Sequence, residues 1–176
     1  KYADTMDNWE SKKKNQKVYL KNAKNIPLKD NSIGMTICHP PYYNLYKYSS
    51  IFKFEMLWSG LDYSGTKKNE IFEGFKLGKA ELVPRYIDDM NEILNEIWRV
   101  MKSKRYCVLM MGDAVIKEKR LNTTALLLQN LKKFDVEKII VRIPKYTEAS
   151  YAASQRRGKQ KVGVNIPDHI VILKKK

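Results

Sequence analysis

Residues 37–49 read ICHPPYYNLYKYS, and four of them, His39, Pro40, Pro41 and Tyr42, form a group suited to chemistry on an amine. The amino group of a nucleobase is a poor nucleophile because its lone pair is delocalised into the ring. Two acceptors placed on its N–H groups would favour a tetrahedral nitrogen. Consecutive prolines offer carbonyls without N–H groups of their own, a neutral imidazole offers one acceptor nitrogen, and an aromatic ring can stack on an extruded base. The four residues therefore predict a site for an exocyclic amine; a rigid loop with packing tyrosines is the alternative.

Two strands are expected to position this corner. The segment NSIGMTIC (31–38) alternates apolar residues and predicts a strand that ends directly before His39. The segment YCVLMMGD (106–113) is a continuous apolar run stopped by Gly112 and Asp113, which is typical of a strand buried on both faces. Because the carboxyl ends of parallel strands meet at one edge of an α/β sheet, we expect the corner and Gly112-Asp113 to converge on one cleft.

The remaining elements indicate an α/β domain. Helical spacing of apolar residues predicts a long helix over 83–102 and a second over 122–134, and a short helix is expected within 52–61. Strands are expected at 17–20, 135–144 and 166–175. This order predicts a mainly parallel sheet with a C-terminal antiparallel hairpin.

Composition narrows the possible partners. The 176 residues suit one domain, and 34 Lys and Arg against 19 Asp and Glu give a net charge of +15. That surplus favours a polyanion such as nucleic acid, although lysines on exposed loops would also explain part of it. Cys38 and Cys107 lie in apolar runs and are expected to be free thiols of a reducing, cytoplasmic compartment. The sequence has no Cys/His cluster with metal spacing and no run of membrane-spanning length, so neither a metal nor a membrane is expected.

The segment NSIGMTICHPPYYNLYKYS resembles the catalytic segment of S-adenosylmethionine-dependent DNA amino-methyltransferases, whose motif is Asp, Asn or Ser followed by Pro-Pro-Tyr. The resemblance implies a Rossmann-like methyltransferase fold, S-adenosylmethionine as the cofactor, DNA as the substrate and a role in restriction–modification. It assigns catalysis to His39, Pro40, Pro41 and Tyr42. It places Asn22, Ala23 and His39 near the cofactor, since Asn22-Ala23 stands where the family has an Asp-Ala-type pair.

His39 leaves the target base open. In the family, Ser at this position usually accompanies methylation of cytosine N4, and Asp or Asn mostly accompanies methylation of adenine N6. An RNA substrate is an alternative. So is a non-catalytic nucleic-acid-binding subunit, because the glycine-rich cofactor loop of the family, Phe-x-Gly-x-Gly, matches none of the eight glycines.

The missing loop leads to a prediction about the domain. In the family fold the first strand lies beside the strand that carries Pro-Pro-Tyr, so this chain would have an open strand edge, which is a liability. We therefore expect residues 1–176 to be the catalytic part of a single methyltransferase domain that lacks its first strands. A missing or separate polypeptide segment would supply the cofactor loop.

Two further segments are candidates for contact with nucleic acid. Tyr43, Asn44 and Tyr46 follow the corner directly and could cover the target base. The alternative for this segment is that Phe54, Leu57 and Trp58 are packing residues of a short helix, and we expect that role for Trp58. The polar loop 145–163 sets cations for phosphates beside tyrosines for bases, although a solvated loop would look the same. The candidates in this loop are Arg156, Arg157 and Lys159.

Overall fold

A computed structural model of the chain describes residues 16–43, 48–71, 82–116, 119–143 and 167–176. These residues form six strands and five helices. In chain order they are β1 (Ile33–Cys38), α1 (Tyr48–Ile51), α2 (Lys53–Trp58), α3 (Tyr63–Asn69), α4 (Val83–Val100), β2 (Met101–Gly112), β3 (Ala114–Ile116), β4 (Lys119–Leu121), α5 (Thr123–Gln129), β5 (Phe134–Arg142) and β6 (Asp168–Lys175).

The main sheet has the strand order β1-β2-β6-β5. β1 and β2 are parallel and are joined by α4, whereas β6 runs antiparallel to both β2 and β5. The predicted antiparallel pairing of the last two strands is therefore confirmed. β1, β2 and β5 run in the same direction and β6 runs against them, so the described strands agree with a mainly parallel sheet that has a C-terminal antiparallel pair. Within that pair, β6 lies between β2 and β5, and β5 forms the edge of the sheet.

Helix α4 covers one face of this sheet. Its predicted apolar stripe is confirmed, because every member is buried: Ile87, Met90, Ile93, Leu94, Ile97, Val100 and Met101. All of these side chains except Val100 share one core with residues of β2 and β6 that point to the same face, namely Cys107, Leu109, Met111, Val171 and Leu173. Burial of an aliphatic side chain contributes about 1.5–3 kcal/mol, so this stripe is the main anchor between α4 and the sheet.

The chain before β1 runs along α4 without forming a strand. Lys24 makes salt bridges to Asp89 and Glu92, and the Arg99 guanidinium donates to the carbonyls of Ile26 and Leu28 at 2.8 and 2.9 Å. The prediction of a strand at 17–20 is wrong, because these residues form no regular secondary structure. The apolar side chains of that segment, at positions 18 and 20, are each 99% exposed, and the segment pairs with no described strand.

β1 has an unpaired edge among the described strands, since it pairs with β2 alone. The sheet face opposite α4 is also uncovered in this part of the chain. Met35 and Ile37 on β1 are 57% and 76% exposed, and Tyr106, which pairs with Met35, is 41% exposed. An α/β sheet of this kind normally buries both faces, so β1 presents both an open edge and apolar side chains.

Candidate active site

The His39–Tyr42 corner begins where β1 ends. Cys38 is the last residue of β1, and its neighbour on β2 is Leu109, three residues before that strand ends at Gly112. His39 is exposed whereas Pro40 is buried, so the corner turns with its imidazole toward solvent. A residue that precedes proline is held in an extended conformation, which applies to both His39 and Pro40.

The predicted convergence of the corner with Gly112 is observed. A Cβ atom built on Gly112 would lie 2.4 Å from Cε2 and 2.5 Å from Cδ2 of Tyr42, so the tyrosine ring occupies the space that a side chain would fill. The ring also meets the imidazole of His39 edge-to-face, with 5.2 Å between ring centroids. Gly112 is therefore the residue that lets Tyr42 lie against the end of β2.

The Tyr42 hydroxyl forms a hydrogen bond with the first residue of β6, Asp168. It donates to Oδ1 of Asp168 at 3.2 Å, and Nε of Arg142 lies 3.3 Å from Oδ2 of the same carboxylate. Gly112, Asp168 and Arg142 are partners across β2, β6 and β5, so this link follows one row of the sheet. Burial, followed by the charge of Asp168, raises the pKa of Tyr42 well above its usual value, and the phenol remains a neutral donor.

The Pro41 carbonyl is held by α4. Tyr86, in the first turns of that helix, is 2% exposed and donates its hydroxyl to the Pro41 carbonyl oxygen at 2.9 Å. Its ring packs edge-to-face on Tyr43, with 5.3 Å between centroids. Burial raises the pKa of Tyr86, which keeps this hydroxyl protonated.

A second polar cluster lies behind the end of β2. The Asp113 carboxylate is fully buried, and its Oδ2 accepts from Nε and Nη2 of Arg120 at 2.9 and 2.6 Å. Nδ1 of His169 lies 3.0 Å from Oγ1 of Thr124 and 3.7 Å from the other oxygen of Asp113. That oxygen, Oδ1, has no hydrogen-bond partner among the described residues. The cluster fixes the chain as it leaves β2, with the carboxylate buried and the Arg120 side chain half-exposed.

Asn22 and Ala23 are exposed and lie in a turn before β1. Asn22 Oδ1 accepts from the Lys24 backbone N–H at 2.9 Å, and Lys24 makes a salt bridge to Asp89 of α4. The pair is therefore in a turn rather than at the end of a strand.

The structure corrects two predictions about aromatic residues. Tyr43 was expected to contact nucleic acid, but its side chain is 2% exposed and packs on Tyr86, so it belongs to the support of the corner. Trp58 was expected to be a packing residue, but it is 95% exposed, and its neighbours Phe54 and Leu57 are 82% and 53% exposed, because no described element covers that side of α2.

The other predicted nucleic-acid contacts lie outside the described residues: Asn44, Tyr46, Arg156, Arg157 and Lys159. Within the part of the chain that the structure describes, no group of three or more His, Cys, Asp or Glu side chains is placed to hold a metal ion. No helix in that part is long and apolar enough to cross a membrane.

Comparison with solved structures shows the fold of the chain. PvuII DNA methyltransferase, described as cytosine-N4-specific, superposes with a TM-score of 0.57 at 12% sequence identity, over 90% of this chain and 48% of that protein. TTHA0409 of Thermus thermophilus, assigned as a DNA modification methylase, gives a TM-score of 0.47 at 14% identity, over 88% of this chain and 52% of that one. Its structure complexed with S-adenosyl-L-methionine gives 0.48 at 15% identity, over 88% and 53%.

The superposition on PvuII DNA methyltransferase shows that the chain shares the fold of that protein. The chain spans about half the length of each protein. No protein-family model matches the sequence, and no curated protein matches it either.

Three residues that sequence reasoning did not assign to the site support the corner: Tyr86, Asp168 and Arg142. Tyr86 extends the apolar stripe of α4 by one turn before Met90, a spacing that predicts burial but not a hydrogen bond to Pro41. Asp168 and Arg142 become neighbours of Tyr42 only through the strand order of the sheet, which the sequence pattern did not predict.

Proposed function

We propose that this chain carries the base-binding part of an S-adenosylmethionine-dependent methyltransferase that acts on an exocyclic amine of DNA, cytosine N4 or adenine N6. The observation that carries the proposal is the corner itself. An exposed imidazole, a donor-free Pro-Pro segment and a tyrosine held by two other elements stand together at the carboxyl end of β1. Ligands of open α/β sheets bind beyond this edge, and the likeness of fold to a DNA methyltransferase supports the same conclusion.

In this proposal the corner orients the amine. Because the Pro41 carbonyl is already bonded to Tyr86, we assign the two N–H groups of the amine to the Pro40 carbonyl and to the unprotonated nitrogen of His39. Acceptance of both hydrogens favours a tetrahedral nitrogen whose lone pair points away from the base. Tyr42 provides the ring against which the extruded base stacks, a contact worth about 1–3 kcal/mol.

The described residues fit only part of the cofactor. S-adenosylmethionine would supply the electrophilic methyl group, with Asn22, Ala23 and His39 toward its adenine and methyl ends. The chain has no Gly-x-Gly loop for the remainder. We therefore propose that a complementary polypeptide segment carries that loop, pairs with the open edge of β1 and covers Met35 and Ile37. The span of about half of PvuII DNA methyltransferase fits this arrangement.

The test is transfer of a tritiated methyl group from S-adenosylmethionine to duplex DNA and to RNA, by the chain alone and with a segment that carries the glycine loop. We expect transfer to DNA that requires the segment. Labelling of RNA alone would change the substrate class. Binding of DNA with no transfer in any combination would show a non-catalytic subunit and contradict the proposal.

A further inference from the structure

The backbone of the corner has one soft torsion left between His39 and Tyr42. The pyrrolidine rings lock φ of Pro40 and of Pro41. Because His39 and Pro40 are each followed by a proline, their ψ angles are restricted to extended values. Peptide bonds are planar. Between the Cα atoms of His39 and Tyr42, only ψ of Pro41 is unrestricted by the sequence. This torsion turns the His39 and Pro40 acceptors relative to the backbone of Tyr42.

The orientation of the Pro41 carbonyl reports that torsion, and one side chain holds it. Tyr86 donates to this carbonyl at 2.9 Å from a position that is 2% exposed. The donor cannot drift easily, because Tyr86 belongs to α4, whose stripe is buried in the core, and its ring packs on Tyr43. Pro41 is partly buried, and rotation of its carbonyl away from Tyr86 would break this hydrogen bond, so the bond restrains ψ of Pro41.

We propose that Tyr86 is the positioning residue of the corner: its hydroxyl fixes the Pro41 torsion, and so sets the angle between the acceptors of His39 and Pro40 and the stacking ring of Tyr42. The role in catalysis rests on the proposed function, whereas the hydrogen bond and the torsion that it restrains are features of this chain. The amine must meet its acceptors while the base meets the ring, and a misplacement of about 1 Å can cost on the order of a hundredfold in rate.

The variant Tyr86→Phe removes the hydroxyl and keeps the ring. Its matched control is Ile97→Val, about three turns further along α4, at a site that is 4% exposed. Ile-to-Val changes in a core are mildly destabilising. The control therefore weakens the same helix without touching the corner, and comparison of the two separates positioning from general destabilisation.

The first measurement is backbone amide hydrogen exchange in the chain itself. Because Pro40 and Pro41 have no amide and the first residue of a peptide reports none, a peptide over 38–43 reports only the amides of His39, Tyr42 and Tyr43. We expect Tyr86→Phe to accelerate exchange in this peptide at least fivefold relative to Ile97→Val. Equal exchange in the two variants would overturn the proposal, whatever the activity of the protein.

The second measurement is steady-state methyl transfer in the form of the protein that is active. We expect Tyr86→Phe to lower kcat at least tenfold while the KM values for cofactor and DNA stay within about twofold, and Ile97→Val to change neither. A kcat equal to that of the control would overturn the proposal. If the unsubstituted protein transfers no methyl group, the proposed function fails, and Tyr86 is judged by the exchange measurement.

Discussion

The close approach of Tyr42 to Gly112 makes Gly112→Ala a direct probe of the site. The added Cβ would lie 2.4 Å from Cε2 and 2.5 Å from Cδ2 of the ring, where ordinary contact begins near 3.4 Å. The ring must therefore retreat by about 1 Å, and the 3.2 Å hydrogen bond from Tyr42 to Asp168 cannot survive that shift unchanged. Overpacking of this kind costs about 1–3 kcal/mol in stability, and a displacement of about 1 Å at a reacting centre costs on the order of a hundredfold in rate.

The assay compares Gly112→Ala with Gly34→Ala. Gly34 lies on the neighbouring strand β1, and a Cβ built there has no atom within 4 Å. Urea unfolding of the chain gives the loss of stability, and methyl transfer in the active form gives the loss of rate. We expect both losses for Gly112→Ala and neither for Gly34→Ala. If Gly112→Ala matches Gly34→Ala in both measurements, Tyr42 is not held against β2 in the way that the structure shows.

Three other predictions concern stability and binding. Burial raises the pKa of Cys107 from 9.0 to about 12, so between these pH values the folded state keeps a proton that the unfolded state loses. The free energy of unfolding should therefore fall by up to about 1.4 kcal/mol per pH unit in this range. Cys107→Ala should reduce that slope in urea titrations at several pH values. Lys104 has a φ of 59°, which costs a residue with a side chain about 1–2 kcal/mol, so Lys104→Gly should raise the urea midpoint, and an unchanged midpoint would contradict the strain. Replacement of Arg156 and Arg157 with Ala should flatten the dependence of log affinity for duplex DNA on log salt by about 0.9 for each phosphate that the protein no longer neutralises, whereas an unchanged slope would mean that neither residue binds a phosphate.

Much of the local structure followed from periodicity. The strand at 33–38, the helix at 83–100 and the last two strands were predicted within a few residues, because each has a long apolar pattern and a clear stop. The second helix ends at Gln129 rather than at 134, where the chain turns into β5. β2 begins at Met101, five residues before the predicted start, since Lys102–Arg105 continue the strand across an irregularity in its pairing with β1.

Long-range geometry was less predictable. Nothing in the sequence pairs Pro41 with Tyr86 or Tyr42 with Asp168, because those contacts depend on the crossover through α4 and on the insertion of β6 beside β2. The backbone of Lys104 was not predictable either, because it takes a left-handed conformation at a position where the sequence has no glycine to indicate one.

The exposed side chains of α2 have a similar explanation. Phe54 and Trp58 suggest a buried helix face by composition, but apolar composition alone does not specify what covers a helix, and no described element does so here. The same holds for Met35 and Ile37 on β1, whose exposure agrees with the proposed complementary segment.

The central claim is that the His39–Tyr42 corner directs a methyl group to an exocyclic amine. It is tested most directly by mass spectrometry of nucleosides from DNA that has been incubated with S-adenosylmethionine and the active form of the protein. The account predicts N4-methylcytosine or N6-methyladenine, and the loss of that product in His39→Ala with DNA affinity largely retained. A methyl group on a ring carbon or ring nitrogen, or undiminished product in His39→Ala, would contradict it.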